Sequence, residues 1–146
     1  MSQENIELVL RQADAANRRD PDAFVSFLRD DVEWEEDPAG FPGLRSVYRG
    51  PEEVREWFRD VVLELWEDFD FRHHEIAAAP GDRVFIGGVL TTSGQGSGAQ
   101  TRLRFWQVIS LRAGLIARRQ VFVENRAAAL QAAQLPSRPP RATGEV

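Results

Sequence analysis

The chain contains no cysteine, which removes disulfides, thiolate metal sites and a cysteine nucleophile at once. It has one tyrosine, one methionine and two histidines, so phenolic and imidazole chemistry rests on very few positions. Positive charge is not in excess either: the formal net charge of the 146 residues is -5, and the basic residues are arginines scattered along the chain. Nucleic acids and anionic membranes are bound by clustered Lys and Arg, so neither is expected as a partner. No apolar run approaches the length of a membrane span, and Met1 to Asn5 has no basic segment followed by an apolar stretch. No export and no anchor are therefore expected, and the expected location is the cytoplasm. The glycine cluster Gly94-Gln95-Gly96-Ser97-Gly98 lacks the strand-then-helix setting and the lysine of a phosphate-binding loop, and reads as a hairpin loop. No serine sits in a nucleophile elbow.

What is present is the composition of one globular domain, 42% hydrophobic and 28% charged. Residues Ile6, Val9, Leu10, Ala13 and Ala16 recur at helical spacing behind Ser2, which predicts a helix over 3–18. Asp20-Pro21 reads as an N-cap and first-turn proline opening a short helix with Phe24, Phe27 and Leu28. Val32 to Glu35 alternates as a half-buried strand does. Glycines and prolines between Asp37 and Gly50 predict a loop able to lie over a pocket mouth. From Pro51 to about Trp66, Val54, Trp57, Phe58, Val61 and Leu65 form one apolar stripe of an amphipathic helix. Four strands follow, over 69–79, 83–93, 101–112 and 115–123, joined by turns at Gly81-Asp82, 93–98 and Ala113-Gly114. Asn125 or Glu124 caps a short alanine-rich helix ending near Leu135, and 136–146 reads as a disordered tail. Consecutive strands on short turns pair antiparallel, and helices gathered ahead of them cover one face, giving an α+β domain over 1–135.

The order and spacing of several segments resemble the SnoaL-like branch of the nuclear transport factor 2-like superfamily. They are Met1 to Val9, Asp30-Asp31-Val32-Glu33-Trp34, Tyr48-Arg49-Gly50-Pro51-Glu52-Glu53-Val54, Gly81-Asp82-Arg83-Val84, and Gly114-Leu115-Ile116 through Glu124-Asn125-Arg126-Ala127. The resemblance implies a cone-shaped fold, a strongly bent antiparallel sheet wrapped around the N-terminal helices, and a homodimer formed through the outer face of the sheet. The family includes ketosteroid isomerase, polyketide cyclases, limonene epoxide hydrolase and many members without known activity. Its enzymes share a carboxylate whose proton affinity is raised inside an apolar pocket. In the cyclases and the epoxide hydrolase an aspartate three residues before the strand-ending acid carries that role. With Glu124 as that acid, the matching position is Val121, which puts those chemistries in doubt. An isomerase-like base would come from Glu35 or Asp37, and Tyr48, the only tyrosine, sits in a loop.

Strand parity sorts the remaining candidates. Glu33, Glu35 and Asp37 share one side of the first strand, and Trp34 and Glu36 the other. If Trp34 lines the pocket, Glu36 does too and the case for Glu35 falls; the plainer alternative is a solvated strand end. His73, in step with Phe69 and Phe71, either enters the cavity as an acid-base group or is exposed with His74. No metal and no cofactor are expected. On the third long strand Gln107 shares a face with Leu103, Phe105, Ile109 and Leu111, as a lone polar group placed to hydrogen-bond a ligand. Arg104 faces the other way with Arg102 and Trp106. Two functions follow. One is a cofactor-independent lyase, isomerase or cyclase-like enzyme on an apolar substrate, with Glu35, Glu36, Asp37 or His73 as its acid-base group. The other is a non-catalytic module that binds an apolar small molecule, or shapes a dimer, through walls that include Trp34, Trp57, Phe58, Phe105, Gln107 and Val121.

Overall fold

The computed structural model describes residues 2–41, 43–94 and 96–137. The tail expected from Pro136 lies outside the described residues from 138 onward. The first helix, α1 (Ser2–Asn17), turns Leu8, Val9, Gln12, Ala15 and Ala16 inward. Arg19 follows it with φ 58, a left-handed residue that reverses the chain. Its Nη2 donates to the carbonyl oxygens of Leu63 (2.9 Å) and Trp66 (3.4 Å), supplying acceptors at a helix end elsewhere in the chain with a donor. Asp20 caps α2 (Pro21–Val25) by accepting from the Ala23 amide at 3.1 Å, as its Asp-Pro sequence requires. The helix is shorter than its sequence indicates, because Leu28 already begins a strand.

That strand, β1 (Leu28–Glu35), pairs antiparallel with β2 (Val47–Arg49), which occupies part of the expected loop. The following helix, α3 (Gly50–Trp57), changes hydrogen-bonding pattern at Phe58 and continues as a π-helix over Phe58–Leu65. The sequence stripe predicts a single α-helix here. A wider turn keeps Phe58, Val61 and Val62 facing the core while shifting the helix register. The meander then runs β3 (Trp66–Ala79), β4 (Arg83–Gly94), β5 (Gln100–Arg112) and β6 (Leu115–Val123), close to the spans that alternation predicts. The last helix, α4 (Arg126–Ala133), is capped by Asn125 through the Ala128 amide at 3.1 Å.

All six strands form one unclosed sheet in the order β2-β1-β6-β5-β4-β3. The meander is antiparallel, but β1 lies parallel to β6, with Trp34 opposite Arg119. A strand far ahead in sequence thereby joins the end of the meander, and short-turn reasoning does not anticipate such a pair. The sheet bends where β3 bulges between His73 and Glu75, opposite Gly87 and Gly88. A Cβ on Gly88 would stand 2.2 Å from the Arg72 carbonyl oxygen, and one on Gly87 would stand 2.1 Å from Cδ1 of the Trp106 indole. The bend therefore depends on two residues without side chains.

Helices α1, α2 and α3 fill the concave face, against Val84, Ile86, Leu90, Phe105, Ile109 and Leu111. Asn17 clasps α1 to the sheet, donating to the Phe71 carbonyl and accepting from the Phe71 amide, both at 2.9 Å. On the convex face α4 packs Ala129, Leu130 and Ala133 over Phe85 and Val108. This is the α+β cone that the sequence leads one to expect.

Candidate functional site

Alternation in β6 is the starting point. Arg119, Val121 and Val123 stand opposite Ile109, Gln107 and Phe105 of β5, so all six belong to the concave face. Arg119 is thereby carried into the core, where it is only 4% exposed. A buried guanidinium is tolerable only with partners. It has four kinds. Its Nε donates to Gln107 Oε1 at 2.9 Å, and its Nη1 donates to the Glu35 carbonyl oxygen at 2.7 Å and to Glu36 Oε1 at 2.9 Å. Its plane lies over the Trp34 ring at 4.4 Å and the Trp57 ring at 5.2 Å, both within reach of a cation–π contact. Burial pushes the Arg119 group below its ordinary value, and the charge and hydrogen bond of Glu36 act against that.

Glu36 completes the cluster. Its second oxygen accepts from Trp57 Nε1 at 2.6 Å, so the carboxylate binds the arginine and the indole together. The side chain is 11% exposed and pairs with Arg119 well inside the protein. Around it the rings of Phe24, Trp34 and Trp57 pack with centroids 5.3–6.0 Å apart. The indole nitrogen of Trp34 is buried without a hydrogen-bond partner.

Two hollows meet at Arg119. One, partly open to solvent, is lined by Val9 and Gln12 of α1, by Phe24, Trp34, Trp57 and Phe71, and by Gln107 and Ile109. The other, also partly open, is lined by Glu36, Asp37, Phe41, Leu90, Leu103, Val121 and Val123. Trp57, Phe69, Phe105 and Arg119 border both. The segment after β1 lies against the second hollow. There Asp37 accepts from the Ala39 amide (2.9 Å) and from the Val123 amide (2.8 Å), and Phe41 packs on Trp66 at 5.5 Å.

The structure brings together some of the residues nominated from sequence and separates others. Trp34, Trp57, Phe105 and Gln107 line the first hollow, and Trp57, Phe105 and Val121 the second. Phe58 lines neither; it is fully buried in the core against Phe24 at 4.7 Å. Glu35 is on the other side of β1, paired with Arg118, while Trp34 and Glu36 face inward together, as their shared parity requires. Asp37 borders the second hollow with its carboxylate engaged by backbone amides. His73 has the inward register but falls at the bulge and is exposed, and so is His74. Gln107 is not a lone polar group, because Arg119 is its partner. The sequence alone does not single out Arg119. In Leu115-Ile116-Ala117-Arg118-Arg119-Gln120 two adjacent arginines resemble a solvated patch, and the available signal was that Arg119 shares parity with Val121. Among the described residues no group of three metal-ligating side chains comes together. Among the described residues no helix is long and apolar enough to cross a membrane.

No curated protein matches the chain. Solved structures with this fold are numerous. An NTF2-like protein from Burkholderia thailandensis is 27% identical, with a TM-score of 0.70 over 90% of this chain and 98% of the other. TerC, co-crystallised with polyporic acid, is 24% identical, with a TM-score of 0.71 over 89% and 97%. A protein with a ketosteroid isomerase-like fold from Catenulispora acidiphila, in complex with trimethylamine, is 19% identical, with a TM-score of 0.69 over 91% and 98%. The family model for the SnoaL-like domain matches residues 9–119, most of the chain and all of the concave site up to Arg119. The chain belongs to the SnoaL-like domain family.

Proposed function

We propose that this protein binds an apolar, ring-bearing small molecule inside the cone, in the hollows that meet at Arg119. The observation that carries this reading is a guanidinium buried between Trp34 and Trp57 and bordering two aromatic-walled spaces at once. A charged side chain in the core is costly, and aromatic walls around a few fixed polar groups are the usual build of a small-molecule site. TerC and the Catenulispora protein each hold a small molecule, which supports small-molecule binding by this fold though not the kind of ligand. Titration with N-phenyl-1-naphthylamine, a neutral fluorophore that brightens in apolar surroundings, tests it. Saturable binding of one equivalent is expected. Val121→Trp, which fills the second hollow, is expected to weaken it at least about tenfold while the chain still unfolds cooperatively. No saturable signal from the wild type contradicts the reading.

A second reading, a cofactor-independent isomerase or cyclase-like enzyme, rests on the carboxylates of Glu36 and Asp37 at the second hollow. Both carboxylates already serve structural contacts, Glu36 accepting from Arg119 and Trp57 and Asp37 from two backbone amides. Binding therefore stands first. A homodimer through the part of the convex face not covered by α4 is the assembly this family suggests, and light scattering across a dilution series tests it.

A further inference from the structure

The helix before β3 does not keep the spacing that its own residues favour. At about 3.6 residues per turn Leu65 would stand within about 20° of Phe58, on the core side with Val54 and Val61. Over Phe58–Leu65 the chain instead forms a π-helix, whose amides bond five residues back rather than four. The wider turn leaves Leu65 outside, 42% exposed, while Phe58, Val61 and Val62 stay buried. A second irregularity follows at once. Trp66 pairs with Gly94 and Asp68 with Ser93, so Glu67 is an extra residue on β3. A surplus residue in the helix and a surplus residue in the strand therefore stand back to back, with only the Trp66 and Gly94 pair between them.

The wider turn is held from outside the helix. Arg19 Nη2 donates to the carbonyl oxygens of Leu63 and Trp66, one on each side of the junction. That contact carries costs: Arg19 has φ 58, and its Nη1 is buried with no hydrogen-bond partner among the described residues. A rare helix type, an exposed leucine and an unpaired buried donor at one junction mark a local state held against a close competitor. In that competitor Phe58–Leu65 closes to α geometry and Leu65 joins Phe58 and Val61 in the core. The surplus residue then passes to the bulge at Glu67, and a single ladder pair is given up.

We infer that Phe58–Leu65 is a two-register element, π in the state described and α in a less populated one, with Arg19 as the strap that selects between them. Its output is the wall of the second hollow. Trp66 packs on Phe41, which lines that hollow, and Trp57, at the change of register, borders both hollows and donates to Glu36. The exchange is a property of the chain alone and stands whether or not a small molecule binds.

NMR on the full chain reads both registers. Couplings through hydrogen bonds, from amide nitrogen to carbonyl carbon, are expected to link amides of the segment to carbonyls five residues back in the wild type. Links four residues back overturn the inference at its first step. Relaxation dispersion on the μs–ms scale is expected at Leu65, Trp66 and Phe41 with one common rate. Arg19→Gly removes both donors and suits the left-handed backbone, so the fold is kept. It is expected to raise the minor population at least about threefold. Leu65→Asp places a carboxylate that is solvated in the π register and buried in the α one, and is expected to abolish the dispersion. Flat dispersion in both the wild type and Arg19→Gly, or dispersion that Leu65→Asp leaves unchanged, overturns the two registers. Equal minor populations in the wild type and Arg19→Gly overturn the strap. Dispersion confined to 58–65, without Trp66 and Phe41, overturns the link to the hollow.

Discussion

Glu36 and Arg119 form an ion pair of 2.9 Å almost wholly inside the protein, one from the residue just after β1 and the other from the middle of β6. Two strands far apart in the sequence become parallel neighbours, and that pairing brings the two residues together. It converts an aromatic core into one with a fixed polar point.

Removing one partner leaves the other charge buried alone. Arg119→Met is expected to destabilise by about 3–5 kcal/mol, and the double variant Arg119→Met/Glu36→Leu by much less, since a buried pair replaced by apolar groups is often close to neutral. Urea unfolding of the two single variants and the double variant checks this.

Trp57 has two roles that can be separated. It is 5% exposed, and its indole N–H donates to Glu36. Trp57→Ala is expected to cost about 3–5 kcal/mol through the cavity it opens. Trp57→Phe keeps most of the ring and loses the hydrogen bond, an expected cost of about 1–3 kcal/mol. If the two variants unfold at the same urea concentration, the polar contact rather than the ring holds the site.

The bend of the sheet should be the least forgiving part of the backbone. Gly88→Ala would push a methyl into the Arg72 carbonyl, which belongs to the paired strand and cannot swing away. Gly87→Ala meets the Trp106 indole, a side chain held by Glu75. Both are expected to destabilise, Gly88→Ala by about 3 kcal/mol or more, at the high end for single substitutions. Thermal unfolding orders them.

On the convex face Glu75 accepts from Trp106 Nε1 at 2.9 Å and from Arg126 at 2.9 and 3.0 Å, tying the start of α4 to the sheet. Burial acts to raise the Glu75 carboxyl, but the hydrogen bonds from Arg126 and Trp106 outweigh it and hold the group below its ordinary 4.5. A carboxylate lowered on folding contributes stability above its unfolded value, and that contribution is lost as pH falls through the lowered folded value. Stability is therefore expected to drop as the medium is acidified below about pH 4.5, and to drop less in Glu75→Gln. Unfolding free energy measured across that range checks the sign.

The elements were legible where local chemistry decides them. Asp20-Pro21 caps α2, Asn125 caps α4, and alternation outlines β3 to β6. Parity also placed Trp34 with Glu36 and Gln107 on the concave side. What the sequence hid depends on pairing between distant segments. The parallel contact of β1 with β6 decides that Arg119, not its neighbour Arg118, faces inward, and that Glu36 meets it. The bulge at His73 takes a histidine of inward register out to solvent. The π-helix after Trp57 leaves no trace in a stripe of apolar residues that fits an ordinary helix equally well.

The central claim, that ligands enter the concave hollows beside Arg119, is tested most directly by the indole N–H resonances of the four tryptophans during titration with 2-acetylnaphthalene. The expected result is that the signals of Trp34 and Trp57 move with the ligand while that of Trp106, on the convex face, stays in place. Movement of Trp106 alone, or of none of the four, would contradict it.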